Sequence, residues 1–138
     1  MGQLIEGIWH TDDLSRTNAS GEFERKQSDY RSFLGSEKFK AEAGRYHLFV
    51  NAGCPWAYRA ILYRSIKNLS ELISVSYSRP AAGPEGWTFD EPESLLGAVH
   101  MHQVYTAANP SFSGRCTVPV LWDKESNSIV NNESADII

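Results

Sequence analysis

Residues 46–57 read Tyr-His-Leu-Phe-Val-Asn-Ala-Gly-Cys-Pro-Trp-Ala. The run 46–51 is apolar and aromatic with only His47 interrupting, the pattern of a strand buried on both faces. Gly53 permits a tight turn, and Pro55 suits a first helical turn, where no amide donor is lost. Helical spacing follows: Tyr58, Leu62, Ile66 and Leu69 recur along one stripe, and Asn68 and Ser70 act as stop signals. Alternation returns over 73–77, with Ile73, Val75 and Tyr77 sharing a face. Strand, helix, strand in that order predicts a right-handed crossover and a parallel pair.

Downstream, Pro80, Gly83, Pro84, Gly86 and Pro92 make 79–92 a loop, and 95–107 reads as a short helix or an irregular segment. Two short strands, 118–122 and 128–131, flank the polar turn 123–127 and should pair as an antiparallel hairpin. Asn131 or Asn132 then caps a helix starting at Glu133-Ser134. The order βαβ, connection, ββα predicts an α/β chain of the thioredoxin-like arrangement over 45–138. Residues 1–44 are polar, with scattered aromatics (Trp9, Phe23, Tyr30, Phe33, Phe39) and no sustained period. They read as an extension packing on the core, with one or two short helices in 29–43. Ile137-Ile138 follow a helix start by one turn, so the chain reads as the front portion of a longer protein.

Hydrophobic residues make up 41% of the 138 positions, enough for one core, and aromatics at 12% argue against disorder. A net charge of -4 disfavours nucleic acid as a partner, since a phosphate backbone needs a basic surface. No apolar run reaches membrane-spanning length, and residues 1–10 lack the features of a signal peptide. Cys54 and Cys116 read as reduced thiols of a cytoplasmic protein. Asn18, Asn68 and Asn132 stand in N-x-S acceptor patterns, which without a secretion signal are chance matches.

Three motifs carry chemistry. In Cys54-Pro55-Trp56-Ala57 a cysteine stands between a strand end and a helix start, where amide donors and the helix dipole favour thiolate over thiol. Ala57 occupies the position of a C-x-x-C partner, so a mixed disulfide with a small thiol such as glutathione is the expected intermediate. A small core residue that happens to precede a helix would look the same. In Val118-Pro119-Val120 the proline marks an edge, a bulge or a cis bond. In a thioredoxin-like layout it faces the cysteine, and the Val118 backbone pairs with a peptide-like ligand. At Asn132-Glu133-Ser134 the helix start, the Ser134 hydroxyl and the Glu133 carboxylate suit the amino-acid end of a γ-glutamyl group; simple capping explains these residues equally well. Arg115 and Trp87 are weaker candidates, for a ligand carboxylate and a cover over a bound thiol. His10, His47, His100 and His102 lack Cys or carboxylate companions at metal-ligand spacing, so no metal is expected.

Together these residues resemble the glutathionyl-hydroquinone reductases, the Xi class of glutathione transferases, which are related to the Omega class. The resemblance runs from about Gly21 to the end. It is carried by 45–50 (RYHLFV), 54–57 (CPWA), 86–89 (GWTF), 113–115 (SGR), 117–123 (TVPVLWD) and 132–134 (NES), with Cys116 where a β-branched residue is usual. The resemblance implies Cys54 as nucleophile, and a glutathione site lined by Trp87, Arg115, Val118, Pro119, Glu133 and Ser134. It implies reduction of glutathionyl-hydroquinones through a Cys54–glutathione mixed disulfide, with glutathione as co-substrate. Family members continue into a helical domain that supplies much of the hydroquinone pocket and the contacts of a homodimer. An Omega-like thioltransferase and a non-catalytic glutathione-binding module are the competing readings.

Overall fold

A computed structural model describes residues 2–11, 20 and 27–138. The central element is β3 (Tyr46–Val50), all five residues of which are buried. It is preceded by a small antiparallel hairpin, β1 (Gln3–Ile5) and β2 (Ile8–His10). There follow α1 (Pro55–Ile66), β4 (Ile73–Tyr77), α2 (Met101–Ala108), β5 (Val120–Asp123), β6 (Ser128–Asn131) and α3 (Ser134–Ile137). The four-stranded sheet runs β4-β3-β5-β6, with β3 and β4 parallel and the other pairs antiparallel. This is the thioredoxin-like βαβ–ββα arrangement expected from the sequence.

β3 is buried on both faces because it lies inside the sheet with side chains packed above and below. Phe49 meets Phe89 and Trp122 edge-on, with ring centroids 6.2 and 6.3 Å away. Burying a side chain of that size contributes about 2–3 kcal/mol. His47, the one basic residue of β3, is a core histidine. Its ring nitrogens face Ser74 Oγ at 2.7 Å and Ser76 Oγ at 3.0 Å on the neighbouring strand. Burial pushes its pKa down to about 4, which leaves the ring neutral at pH 7.

The helix that the stripe Tyr58, Leu62 and Ile66 predicts forms as α1, with the stripe pointing outward, exposed at 48%, 44% and 72%. α1 instead packs through Ala57 and Ala60, whose small side chains let the helix lie close to the sheet, with Ile61 partly buried beside them. No helix forms in 29–43: the segment is turns and bends, and only Phe39 is driven fully into the core. Pro119 lies ahead of β5 and does not interrupt its ladder. Asn68, the expected stop, adopts a left-handed φ of 55° just past α1. Arg64 secures that end of the helix by donating to the carbonyls of Ser70 (2.8 Å) and Ile73 (2.6 Å).

The N-terminal segment is held by specific bonds. Leu4 and Gly114 exchange backbone hydrogen bonds of 2.9 Å, and Leu4 is buried. Gly114 is required there: a Cβ would lie 2.9 Å from the Phe112 ring, and its φ of 156° is one that side chains rarely adopt. Tyr30 stacks on Phe112 with centroids 5.8 Å apart, and Arg31 forms a two-pronged pair with Asp136. Asn18 and Phe23 lie outside the described residues.

Candidate functional site

Cys54 is the N-cap residue of α1, with extended backbone (φ -90°, ψ 116°). That position normally holds a Ser, Thr, Asp or Asn whose side chain accepts from the first-turn amides. Here a half-buried sulfur takes the place of the oxygen, and no side chain caps the helix.

Asn51, unremarked in the sequence, shapes the turn that presents the cysteine. Fully buried, it donates from Nδ2 to Ser78 Oγ (2.9 Å) and to the Arg79 carbonyl, and accepts from the Gly53 amide at 2.8 Å. Its own carbonyl accepts from the Cys54 amide at 3.2 Å. The end of β3 is thus clamped to the end of β4, and Cys54 leaves the clamp in a defined direction.

Opposite stands the Val118-Pro119 bond, which is cis. Cys54 Sγ lies 3.8 Å from the Val118 carbonyl. Among the described residues that is the one hydrogen bond formed by the Val118 backbone, whose amide has no acceptor. Pro119 itself is buried. Arg115 sits half-buried on the same approach to β5, not solvent-exposed as an arginine beside a glycine suggests. Trp87 is half-buried on the rim of the core, and its carbonyl accepts from the Met101 amide at 2.8 Å, tying its loop to the start of α2.

At the other end of the hairpin, Glu133 is the N-cap of α3, not Asn131 or Asn132. Its carboxylate accepts from the Ala135 amide (3.4 Å) and from Ser28 Oγ (2.9 Å). Asn131 Oδ1 accepts from the Glu133 amide at 2.7 Å, and Asn132 Oδ1 from the Tyr30 amide at 3.1 Å. Ser134 is 1% exposed, and its hydroxyl has no hydrogen-bond partner among the described residues. An orphaned buried hydroxyl is costly, and a ligand carboxylate would satisfy it.

One further residue joins the segment before Val118 to the segment before Glu133, and sequence reasoning missed it. Tyr105 of α2 is fully buried, and burial keeps its hydroxyl protonated by pushing its pKa up. That hydroxyl donates to the Thr117 carbonyl (3.0 Å) and accepts from the Thr117 amide (3.2 Å) and from Asn132 Nδ2 (3.0 Å). It therefore positions both the residue before Val118 and the residue before Glu133. Tyr105→Phe leaves the part-buried Thr117 amide and the buried Asn132 side-chain amide without this acceptor, a cost of about 1–3 kcal/mol. Thermal unfolding checks this: the melting temperature of Tyr105→Phe should fall by several degrees.

The second cysteine plays no comparable part. Cys116 is buried in apolar surroundings that push its thiol pKa well up, and it forms no disulfide with Cys54. The histidines differ from expectation in one respect: Glu85, from a separate loop, stands beside His100 and His102.

Fold and site define a class: a thioredoxin-like domain with a single cysteine at a helix start, opposite a cis-proline, and no second cysteine beside it. Comparison with known proteins sharpens this. Residues 53–138 match the family model described as glutathione S-transferase, N-terminal domain. The whole chain is 46% identical, over 143 aligned positions, to 45% of the glutathionyl-hydroquinone reductase PcpF of Sphingobium chlorophenolicum. Among solved structures, a Xi-class glutathione transferase from Natrialba magadii superposes with a TM-score of 0.85 at 36% identity, over 99% of this chain and 43% of that one. The glutathione-bound structure of YqjG, a glutathione transferase homologue from Escherichia coli, gives 0.80 at 39% identity over 99% and 43%. The chain belongs to the glutathione S-transferase family, through its N-terminal domain. It spans about half the length of the curated relatives it matches. No helix among the described residues is long and apolar enough to cross a membrane.

Proposed function

We propose that the chain supplies the glutathione-handling half of a glutathionyl-hydroquinone reductase, with Cys54 as its nucleophile. The observation that carries the reading is the placement of Cys54 Sγ at a helix start, 3.8 Å from the carbonyl of the cis Val118-Pro119 pair. Support also comes from two hydrogen-bonding groups that a peptide-like ligand would satisfy, the Val118 amide and the Ser134 hydroxyl. In this reading the Val118 backbone pairs with the cysteinyl part of glutathione, as one residue of an added strand. Ser134 and Glu133 take the carboxylate and ammonium of the γ-glutamyl end, Arg115 a carboxylate, and Trp87 covers the bound thiol.

The Cys54 thiolate attacks the glutathione sulfur of the conjugate. The sulfur–aryl bond breaks, the aryl carbon takes the electron pair and a proton, and hydroquinone leaves. Cys54 is then joined to glutathione through a disulfide. A second glutathione thiolate attacks that disulfide, regenerating the Cys54 thiolate and releasing glutathione disulfide. The absence of a neighbouring cysteine fits this cycle, since nothing beside Cys54 competes for the mixed disulfide. The electrophile pocket and the homodimer contacts belong, in this proposal, to the longer cytoplasmic protein.

Assay of the longer protein tests the substrate assignment. It should turn over a glutathionyl-hydroquinone faster than a simple alkyl–glutathione mixed disulfide. The reverse preference makes it an Omega-like thioltransferase, and no turnover of either makes the domain a binding module.

A further inference from the structure

Loop, hairpin and helix converge at a second place, away from Cys54. Glu85 lies in the tight loop closed by the Gly83–Gly86 backbone pair, both of whose hydrogen bonds are 3.0 Å. His100 is the N-cap of α2, and His102 lies in its first turn. One ligand atom from each of the three residues lies within 4.8 Å of the others. Two features separate this group from a chance surface cluster. His100 Nδ1 and His102 Nε2 are both buried and have no well-formed hydrogen-bond partner among the described residues; the Gln103 amide, which bonds the His100 carbonyl, is the nearest donor to the His100 ring. The Glu85 carboxylate approaches His102 Nε2 to 3.4 Å, longer than a well-formed hydrogen bond between these groups.

The surroundings hold the histidines in place. Trp9 of β2 stacks on His102 with centroids 4.7 Å apart, while Nε1 of Trp9 donates to the Pro84 carbonyl at 3.1 Å. On α2, the His100 amide donates to Gln103 Oε1 at 3.0 Å, and the His100 carbonyl accepts from the Gln103 amide at 3.0 Å. Backbone and rings are thus fixed, and His100 Nδ1 and His102 Nε2 keep no well-formed hydrogen bond among the described residues.

We propose that Glu85, His100 and His102 form a site for a divalent transition metal such as zinc, pinning the N-terminal hairpin and the loop before Trp87 to the start of α2. Two imidazoles and a carboxylate, with solvent as the fourth ligand, are a donor set that zinc accepts and that magnesium and calcium do not favour. Tetrahedral zinc needs its donors about 3.3 Å apart. Closing the remaining gap falls to Glu85, whose side chain is 46% exposed and able to move, while the His102 side chain is 13% exposed.

The test uses the whole chain with Cys54 first alkylated by iodoacetamide, so that its thiol does not compete for metal. Calorimetric titration with zinc should show one equivalent bound at micromolar affinity or tighter, and none with magnesium. Glu85→Gln and His102→Gln should each weaken zinc binding at least about tenfold while leaving the metal-free melting temperature near that of the parent chain. Nickel, being paramagnetic, should quench tryptophan fluorescence, and Trp9→Phe should remove most of that quenching while keeping the zinc stoichiometry. Glu85→Gln, on an exposed loop, keeps the test decisive should a histidine variant fail to fold. Absence of saturable zinc uptake overturns the proposal, as does full affinity retained in folded Glu85→Gln.

Discussion

Cys54→Ser should reduce turnover of a glutathionyl-hydroquinone by the longer protein to background, a loss of at least about 10³-fold. The hydroxyl stays protonated at neutral pH where a thiolate is required, and an alcohol cannot form the mixed disulfide on which the cycle turns. Local structure should survive the change. Serine is itself a favoured N-cap, whose oxygen can accept from first-turn amides that Cys54 leaves uncapped, so α1 should be no less stable. Glutathione binding should persist for the same reason, since Val118, Glu133 and Ser134 are untouched. A variant that binds glutathione, melts like the parent and does not turn over is therefore the expected phenotype. Cys116→Ser serves as the contrast: a buried, protonated thiol should contribute nothing to turnover.

The second large effect concerns the frame. Asp123 ends β5, pairs across the sheet with Tyr46, and is fully buried. Its carboxylate receives two hydrogen bonds of 2.7 Å from Arg45, one of 2.6 Å from Ser126 Oγ and one of 3.1 Å from the Glu125 amide. The Arg45 hydrogen bonds, first among these, hold the Asp123 carboxyl well below the usual carboxylate range against the cost of burial. Asp123→Asn strips the Arg45 guanidinium of its two-pronged partner and unsettles the turn joining β5 to β6. The melting temperature should drop by roughly 10 °C near neutral pH.

The sign of the pH dependence follows from the same bonds. The folded carboxyl titrates below the unfolded one, so the stabilisation is complete above the unfolded value of about 4 and is lost as pH falls further. The gap in melting temperature between parent and Asp123→Asn should therefore be widest above about pH 5 and narrow below about pH 4. A gap that stays constant between pH 7 and pH 3 would mean that the ion pair is not its source.

Much of the site was legible in the sequence because it rests on residues with few structural uses. A glycine, cysteine and proline between an apolar run and a helical stretch admit little besides a strand-to-helix junction, and the structure places Cys54 there. Proline ahead of an apolar strand was readable as a cis candidate, and Val118-Pro119 is cis. The stripe along α1 announced the helix but not its buried side, because periodicity reveals that a face exists, not which face is buried. Small residues such as Ala57 and Ala60 bury most closely and carry the weakest hydropathic signal.

Other features depended on contacts distant in the chain. β1 and β2 are three residues each, too short for alternation to register, and Leu4 is held by Gly114. Asn51 and Tyr105 read as ordinary members of a strand and a helix. What distinguishes them is where their polar atoms point, Asn51 toward Ser78 and Tyr105 toward Thr117 and Asn132. Glu85 escaped notice beside His100 and His102 because ligand spacing was sought along one element, while the carboxylate arrives from a loop.

The most direct test of Cys54 as the glutathione-carrying nucleophile is mass spectrometry of the chain after brief exposure to glutathione disulfide at neutral pH. A single glutathione adduct, reversible by reductant, should map to the peptide containing Cys54, with Cys116 unmodified. No adduct at Cys54, or an adduct on Cys116 alone, would contradict the account.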